Sequence, residues 1–155
     1  MMKEIRTSTR LYTPVEQIWS TLTDFEGYKN WNTALSTVEG KLERHQEFNL
    51  QLNPECISTG RLQTRLDVIE ENRKLIWNTT HVGVSHLFGF QYYLTLVPRS
   101  RGRVKLLHGA IFWGLLLPLC WSQISKENRA QFKQANENLQ LLFRSQEHKA
   151  KEFVA

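Results

Sequence analysis

The stretch that decides the fold is PLCWSQISKENRAQFKQANENLQLLFRSQE, Pro118 to Glu147. Trp121, Ile124, Phe132, Ala135, Leu139, Leu142 and Phe143 recur at the helical period, while Lys126, Glu127, Lys133, Gln134, Glu137 and Arg144 fall opposite them. The pattern lasts for about eight turns. Pro118 suits a first helical turn, where its missing N–H costs nothing. A helix with one apolar stripe needs a cover. Nearly everything upstream reads as short β-strands, so the expectation is a curved sheet gripping one long terminal helix.

Ile5, Thr7, Thr9 and Leu11 alternate over residues 3 to 12. Thr13-Pro14-Val15-Glu16 then reads as a capping box with Pro14 at the first helical position. The stripe Val15, Ile18, Trp19, Leu22 predicts a short helix over 14 to 22. Thr23-Asp24-Phe25-Glu26 offers a second cap, for a turn or short helix through Tyr28. Ala34 to Arg44 is the weakest strand signal. Residues 47 to 52 alternate, with Asn53-Pro54-Glu55 as the turn after them. In residues 60 to 70, Leu62, Thr64, Leu66 and Val68 share a face. Leu75 and Trp77 share the next, and Phe88, Phe90, Tyr92, Leu94 and Leu96 the long strand from Val84 to Val97. Arg99-Ser100-Arg101-Gly102 marks a hairpin turn, and Val104, Leu106, His108, Ala110 and Phe112 line the last strand. Alternation of this kind supplies one apolar face, on which the long helix packs against Leu66, Trp77, Tyr92 and Phe112. No repeat or linker interrupts it. The prediction is a single α+β domain spanning residues 1–155.

Composition narrows the class. A chain of 155 residues, 41% hydrophobic and 23% charged, suits one soluble domain. The net charge of +5 comes without a dense basic tract, and it reads as solubility more than as a partner signal. Cys56 and Cys120 are far apart, with neither disulfide-scaffold nor metal spacing. The first ten residues lack the apolar core of a signal peptide. The longest apolar run, Ala110 to Trp121, falls short of the roughly 20 residues that span a bilayer. A cytoplasmic protein is expected.

Taken together, Thr13-Pro14-Val15-Glu16-Gln17-Ile18-Trp19, Leu22, Asp24, Tyr28 and Trp31-Asn32 resemble the opening signature of the SRPBCC superfamily. That group includes the START domains, the birch-pollen-allergen proteins and the polyketide cyclase/dehydrase-like proteins. Leu75-x-Trp77, His108-x-x-x-Phe112-x-Gly114 and a long helix carrying Asn136 and Leu139 extend the resemblance over essentially the whole chain. Thr33 departs from it, since many relatives carry proline after Trp-Asn. The resemblance implies the helix-grip fold: a seven-stranded antiparallel sheet around the C-terminal helix, with two short helices after strand 1. It also implies a cavity that binds lipids, sterols or polyketides, and in a minority of members performs cyclase, dehydratase or hydrolase chemistry.

On that reading the candidate ligand-contacting residues are Trp31, Leu66, Trp77, Tyr92, His108, Phe112, Trp121 and Phe132. Aromatics line apolar ligand sites, but they also simply fill cores. His108 on an apolar face is a buried histidine bonded to a carbonyl or hydroxyl, a group that orients a ligand, or a general acid–base. Parity points Tyr92 inward and Tyr93 outward. Asp24 reads as a cap. His81 and His86, five apart, do not match a metal motif, and no GxSxG, GxGxxG or Walker-type loop occurs, so neither metal nor cofactor is expected. Arg99, Arg101, Arg103 and Lys105 read as a solvated hairpin, with an anionic membrane surface as the alternative. Nucleic acid would want a wider basic face. The run Gly114 to Leu119 either tucks over one end of the cavity or presents an apolar patch.

Three functions therefore stand. The first is binding of a hydrophobic small molecule between sheet and helix. The second is a cyclase- or dehydratase-type enzyme using the same pocket, which would need a titratable partner beside His108 that the inward faces do not offer. The third is a protein-interaction or dimerisation scaffold, as monomer or homodimer, resting on Leu115 to Leu119.

Overall fold

In the computed structural model, residues 2–35, 40–50, 62–79 and 87–154 are described. Strand β1 (Met2–Leu11) buries Ile5, Thr7, Thr9 and Leu11 on alternate positions, as its pattern requires. Helix α1 (Val15–Thr23) buries Ile18, Trp19 and Leu22. Its start differs from the expected capping box. Pro14 is the cap, and its carbonyl accepts from the N–H groups of Gln17 and Ile18 at 3.0 and 3.1 Å. That leaves Thr13 one residue outside the helix, with no side-chain cap. Asp24 does cap the 3₁₀ turn Phe25–Asn30, where its carboxylate accepts from the Gly27 N–H.

The remaining strands are β2 (Glu47–Leu50), β3 (Leu62–Glu70), β4 (Lys74–Thr79), β5 (Gly89–Pro98) and β6 (Val104–Trp113). They form one antiparallel sheet in the order β1-β6-β5-β4-β3-β2. The first strand thus closes on the last, and β2 to β6 run as a meander. Six strands are present among the described residues, not seven. The weakest strand signal, from Ala34 to Arg44, is turn and irregular backbone at 34–35 and 40–44, and residues 36–39 lie outside the described set. So do the Asn53-Pro54-Glu55 turn, Cys56, the start of the expected Val84–Val97 strand, and His81 and His86.

Beyond Leu66 the faces of β3 differ from the expected alternation. The β3–β4 register shifts between Leu66 and Val68, so Leu66 pairs with Trp77, Val68 with Ile76 and Ile69 with Leu75. This bulge turns Val68 away and brings Ile69 against the core in its place, because one extra residue inverts the alternation beyond it. Asp67 sits at the bulge, held by Arg65, Asn78 and His45.

Helix α2 (Leu117–Val154) begins one residue before Pro118 and runs past Glu147. It lies against β1 and β6. Ile124, Phe132, Ala135, Leu139 and Phe143 are buried under it. From Arg144 to Glu152 the helix is exposed and carries the pairs Glu147–Lys151 and His148–Glu152 at 3.4 and 3.1 Å, which support helical backbone there. On the other face of the sheet, Tyr93 lies over Gly109. A β-carbon at Gly109 would come within 2.5 Å of the Tyr93 hydroxyl, and that hydroxyl donates to Glu4 at 2.6 Å.

Candidate functional site

The predicted residues divide into two touching groups. Under the 3₁₀ turn, Trp77 meets Phe25, Phe48 and Tyr92 at ring separations of 6.0, 6.2 and 5.5 Å, and Trp31 meets Tyr28 at 4.9 Å. Leu66 is buried opposite Trp77. Under α2, Phe132 lies over His108 at 4.7 Å and beside Tyr92 at 5.9 Å, while Phe112 meets Trp121 at 6.1 Å. Tyr92 joins the groups. Every one of these side chains is buried except Trp121, which is half-buried beneath the Lys3 ammonium, 6.0 Å from its ring centre. In this conformation the candidate side chains pack against one another between sheet and helix.

At its centre is a polar chain whose directions can be assigned from its two ends. The Asn32 carbonyl oxygen accepts from the backbone N–H groups of Ala34 and Leu35 at 3.1 and 3.2 Å. Its amide N–H must therefore donate to the Tyr92 hydroxyl, 3.0 Å away. At the other end, Thr7 Oγ1 donates to the His108 carbonyl at 2.7 Å and accepts from Asn136 Nδ2 at 2.9 Å. The Asn136 oxygen then faces His108 Nδ1 at 2.9 Å, so Nδ1 carries the proton. Nε2 is left as the acceptor for the Tyr92 hydroxyl, at 2.5 Å. Each group donates to the next, and both backbone ends are tied down.

This arrangement holds His108 neutral. Burial is the larger influence and pushes its pKa down to about 4, against a smaller upward pull from Asn136. Burial also raises the Tyr92 hydroxyl above its ordinary value. Both ring nitrogens of His108 are occupied and its side chain is 0% exposed. Of the readings open to it, the described geometry is that of a histidine satisfied inside the core. Tyr92 points inward and Tyr93 outward, as parity required.

Four buried polar residues lie outside the predicted set: Thr7, Asn32, Asn128 and Asn136. Their signal was polarity at core positions. Asn128 and Asn136 fall four residues from Phe132 on the buried stripe, and Thr7 alternates with Ile5. Asn128 is buried and donates to the Ile124 carbonyl at 2.9 Å, but its own side-chain oxygen finds no partner among the described residues. Trp31 Nε1 and Trp77 Nε1 are likewise buried without a partner.

The Gly114–Leu119 run splits. Leu117 is fully buried, whereas Leu115 and Leu119 are 72% and 83% exposed. Among the described residues no cluster of three metal-ligating side chains occurs, and no helix is long and apolar enough to cross a membrane.

Solved structures share this architecture. MLL2253 of Mesorhizobium loti matches 92% of this chain and 98% of its own, with a TM-score of 0.68 at 18% identity. CalU16 of Micromonospora echinospora matches 92% of this chain and 75% of its own, with a TM-score of 0.65 at 19% identity. The chain has the helix-grip fold. Norcoclaurine synthase of Thalictrum flavum, in complex with dopamine and hydroxybenzaldehyde, shares it at 9% identity, with a TM-score of 0.65 over 93% of this chain and 88% of its own. No family model matches the chain, and neither does any curated protein. At these identities the likeness establishes the helix-grip architecture, and it agrees with the SRPBCC resemblance read from Thr13 to Asn32 and from His108 to Leu139.

Proposed function

We propose that the protein binds an apolar, ring-bearing or lipid-like small molecule between the sheet and α2. In this reading the ligand supplies hydrogen-bond partners to the buried polar atoms of Trp31, Trp77 and Asn128. The observation that carries the reading is that these three buried atoms have no partner among the described residues, two of them on indoles of the aromatic core. A buried donor or acceptor left unpaired costs about 1–3 kcal/mol, and native cores keep few of them. Two donors and one acceptor suit a ligand with an oxygen acceptor and a hydroxyl on an apolar frame. Affinity would come from apolar burial, at about 25 cal/mol per Å², less the cost of parting the side chains that pack there.

The aromatic compounds bound in the norcoclaurine synthase structure belong to that chemical class and support the reading by analogy of fold. The His108 geometry favours binding over proton transfer, since neither ring nitrogen is free to take a substrate proton. Native mass spectrometry of the protein as purified, and again after incubation with a lipid extract of its host, tests the proposal beside a denatured control. An adduct is expected that is lost in Trp77→Phe, which keeps an aromatic ring and removes the N–H. An adduct of equal occupancy in that variant would refute the site, and no adduct from either preparation would refute the binding.

A further inference from the structure

Where β1 ends against the β5–β6 hairpin, the surface holds a groove of about 650 Å³ whose lining residues include Arg10, Arg99, Arg103 and Lys105 together with Ser8, Ser100 and Gln140. Sequence spacing accounts for the hairpin cations. Only the fold adds Arg10, by pairing β1 with β6. The four cations stand at two pairs of opposed backbone positions. Arg10 stands directly opposite Lys105 in the β1–β6 ladder, and the Arg99 N–H donates to the Arg103 carbonyl at 2.8 Å across the hairpin mouth. Like charges set directly opposite in a sheet oppose folding. Among the described residues no carboxylate lines the groove, and none of the four cations forms an ion pair. The backbone beneath them is braced, because Gln140 of α2 donates to Thr9 Oγ1 at 2.6 Å and to the Arg10 carbonyl at 3.2 Å.

We infer that this groove binds a compound bearing two phosphate groups, at a site separate from the sheet–helix core. Three guanidinium forks and one ammonium match phosphate oxygens in shape and charge. Two phosphate esters carry about −3 to −4 at neutral pH, which balances four cations where a single carboxylate would not. The hydroxyls of Ser8 and Ser100 add neutral donors. The volume is that of a small-molecule site, and its concave form suits a compact polyanion. The source is a free phosphorylated metabolite or the headgroup of a polyphosphorylated lipid.

Calorimetric titration with inorganic pyrophosphate, at about 150 mM NaCl where exposed charges are screened beyond roughly 8 Å, tests the site. The paired substitutions Arg99→Ser and Arg103→Ser should weaken binding at least about tenfold. The charge-matched pair Lys126→Ser and Arg129→Ser, about 17–21 Å along α2 from Gln140 at 1.5 Å per residue, should leave it unchanged. Failure to saturate at millimolar pyrophosphate, or equal weakening by both pairs, would overturn the inference and leave a solvated basic hairpin. A parallel arm sediments the protein with phosphatidylcholine vesicles carrying phosphatidylinositol bisphosphate or a charge-matched amount of phosphatidylserine. Preference for the bisphosphate, lost in the Arg99/Arg103 variant, identifies a lipid headgroup. Pyrophosphate binding without vesicle retention identifies a free metabolite. Equal retention on both vesicles, with no saturable pyrophosphate binding, reduces the groove to general charge attraction and overturns the inference. None of these outcomes depends on whether the core binds an apolar ligand.

Discussion

Taking the protein from about pH 7.5 to about pH 5 should lower its stability, and His108 should account for most of the loss. The folded-state pKa is pushed down to about 4 from 6.5. Between those values the unfolded chain binds a proton that the folded chain refuses, so stability is full above the unfolded value and falls as the pH drops towards the folded one. At about pH 5 the expected loss is roughly 2 kcal/mol, and over the whole window it approaches about 3 kcal/mol. For a chain of this size, a 2 kcal/mol loss lowers Tm by about 4–8 °C. The side chains that meet His108 are Tyr92, Asn136 and Phe132, and none of them is charged, so nothing nearby offsets the imidazolium. Asp67 titrates lower: burial alone would raise its pKa, but hydrogen bonds from Arg65, Asn78 and His45 hold it below the usual carboxylate value. Thermal denaturation at stepped pH, for wild type and His108→Gln, measures the effect. Glutamine can donate to Asn136 and accept from Tyr92 without titrating, so the variant should lose most of the pH dependence. A wild-type Tm that is flat across the window, or a variant as pH-sensitive as wild type, would refute the neutral, buried histidine. Imidazole nitrogen shifts in NMR at about pH 5 give the same answer should the variant fold poorly.

Asn128→Leu replaces an amide whose oxygen is unpaired with an apolar group of similar size. It should raise stability by about 1 kcal/mol, or about 2–4 °C in Tm, while reducing adduct occupancy in native mass spectra. Lower Tm together with unchanged occupancy would count against a ligand-facing Asn128. Gly109→Ala should cost about 1–3 kcal/mol by overpacking, because the added carbon would lie 2.3 Å from the Ile5 carbonyl oxygen, which is main chain and cannot rotate aside. A urea midpoint equal to wild type would show that the sheet has more room there.

The SRPBCC-like motifs were legible because they are local. Asp24 caps its turn three residues away, and the Trp121–Phe143 stripe needs no partner to be recognised as helical. The interior position of Tyr92 and the exterior one of Tyr93 followed from period two alone. The bulge at Asp67 was not legible. Nothing in the alternation of residues 62 to 70 says where an extra residue will be absorbed, and the exchange of Val68 for Ile69 depends on which β4 residues they meet.

The sequence by itself determined the element types, the antiparallel α+β architecture and the faces of most strands, since helix and strand periods are properties of neighbouring residues. The tertiary structure alone decided what those faces do. It set Thr7 and Asn136, 129 residues apart, in one hydrogen-bonded chain with His108, and it packed the predicted pocket residues against one another. It also left Asn128 and two indoles unpaired among the described residues and set Arg10 opposite Lys105 on the neighbouring strand. Those outcomes depend on contacts between residues distant in the chain, whose geometry exists only once β1 has closed on β6 and α2 has covered them both.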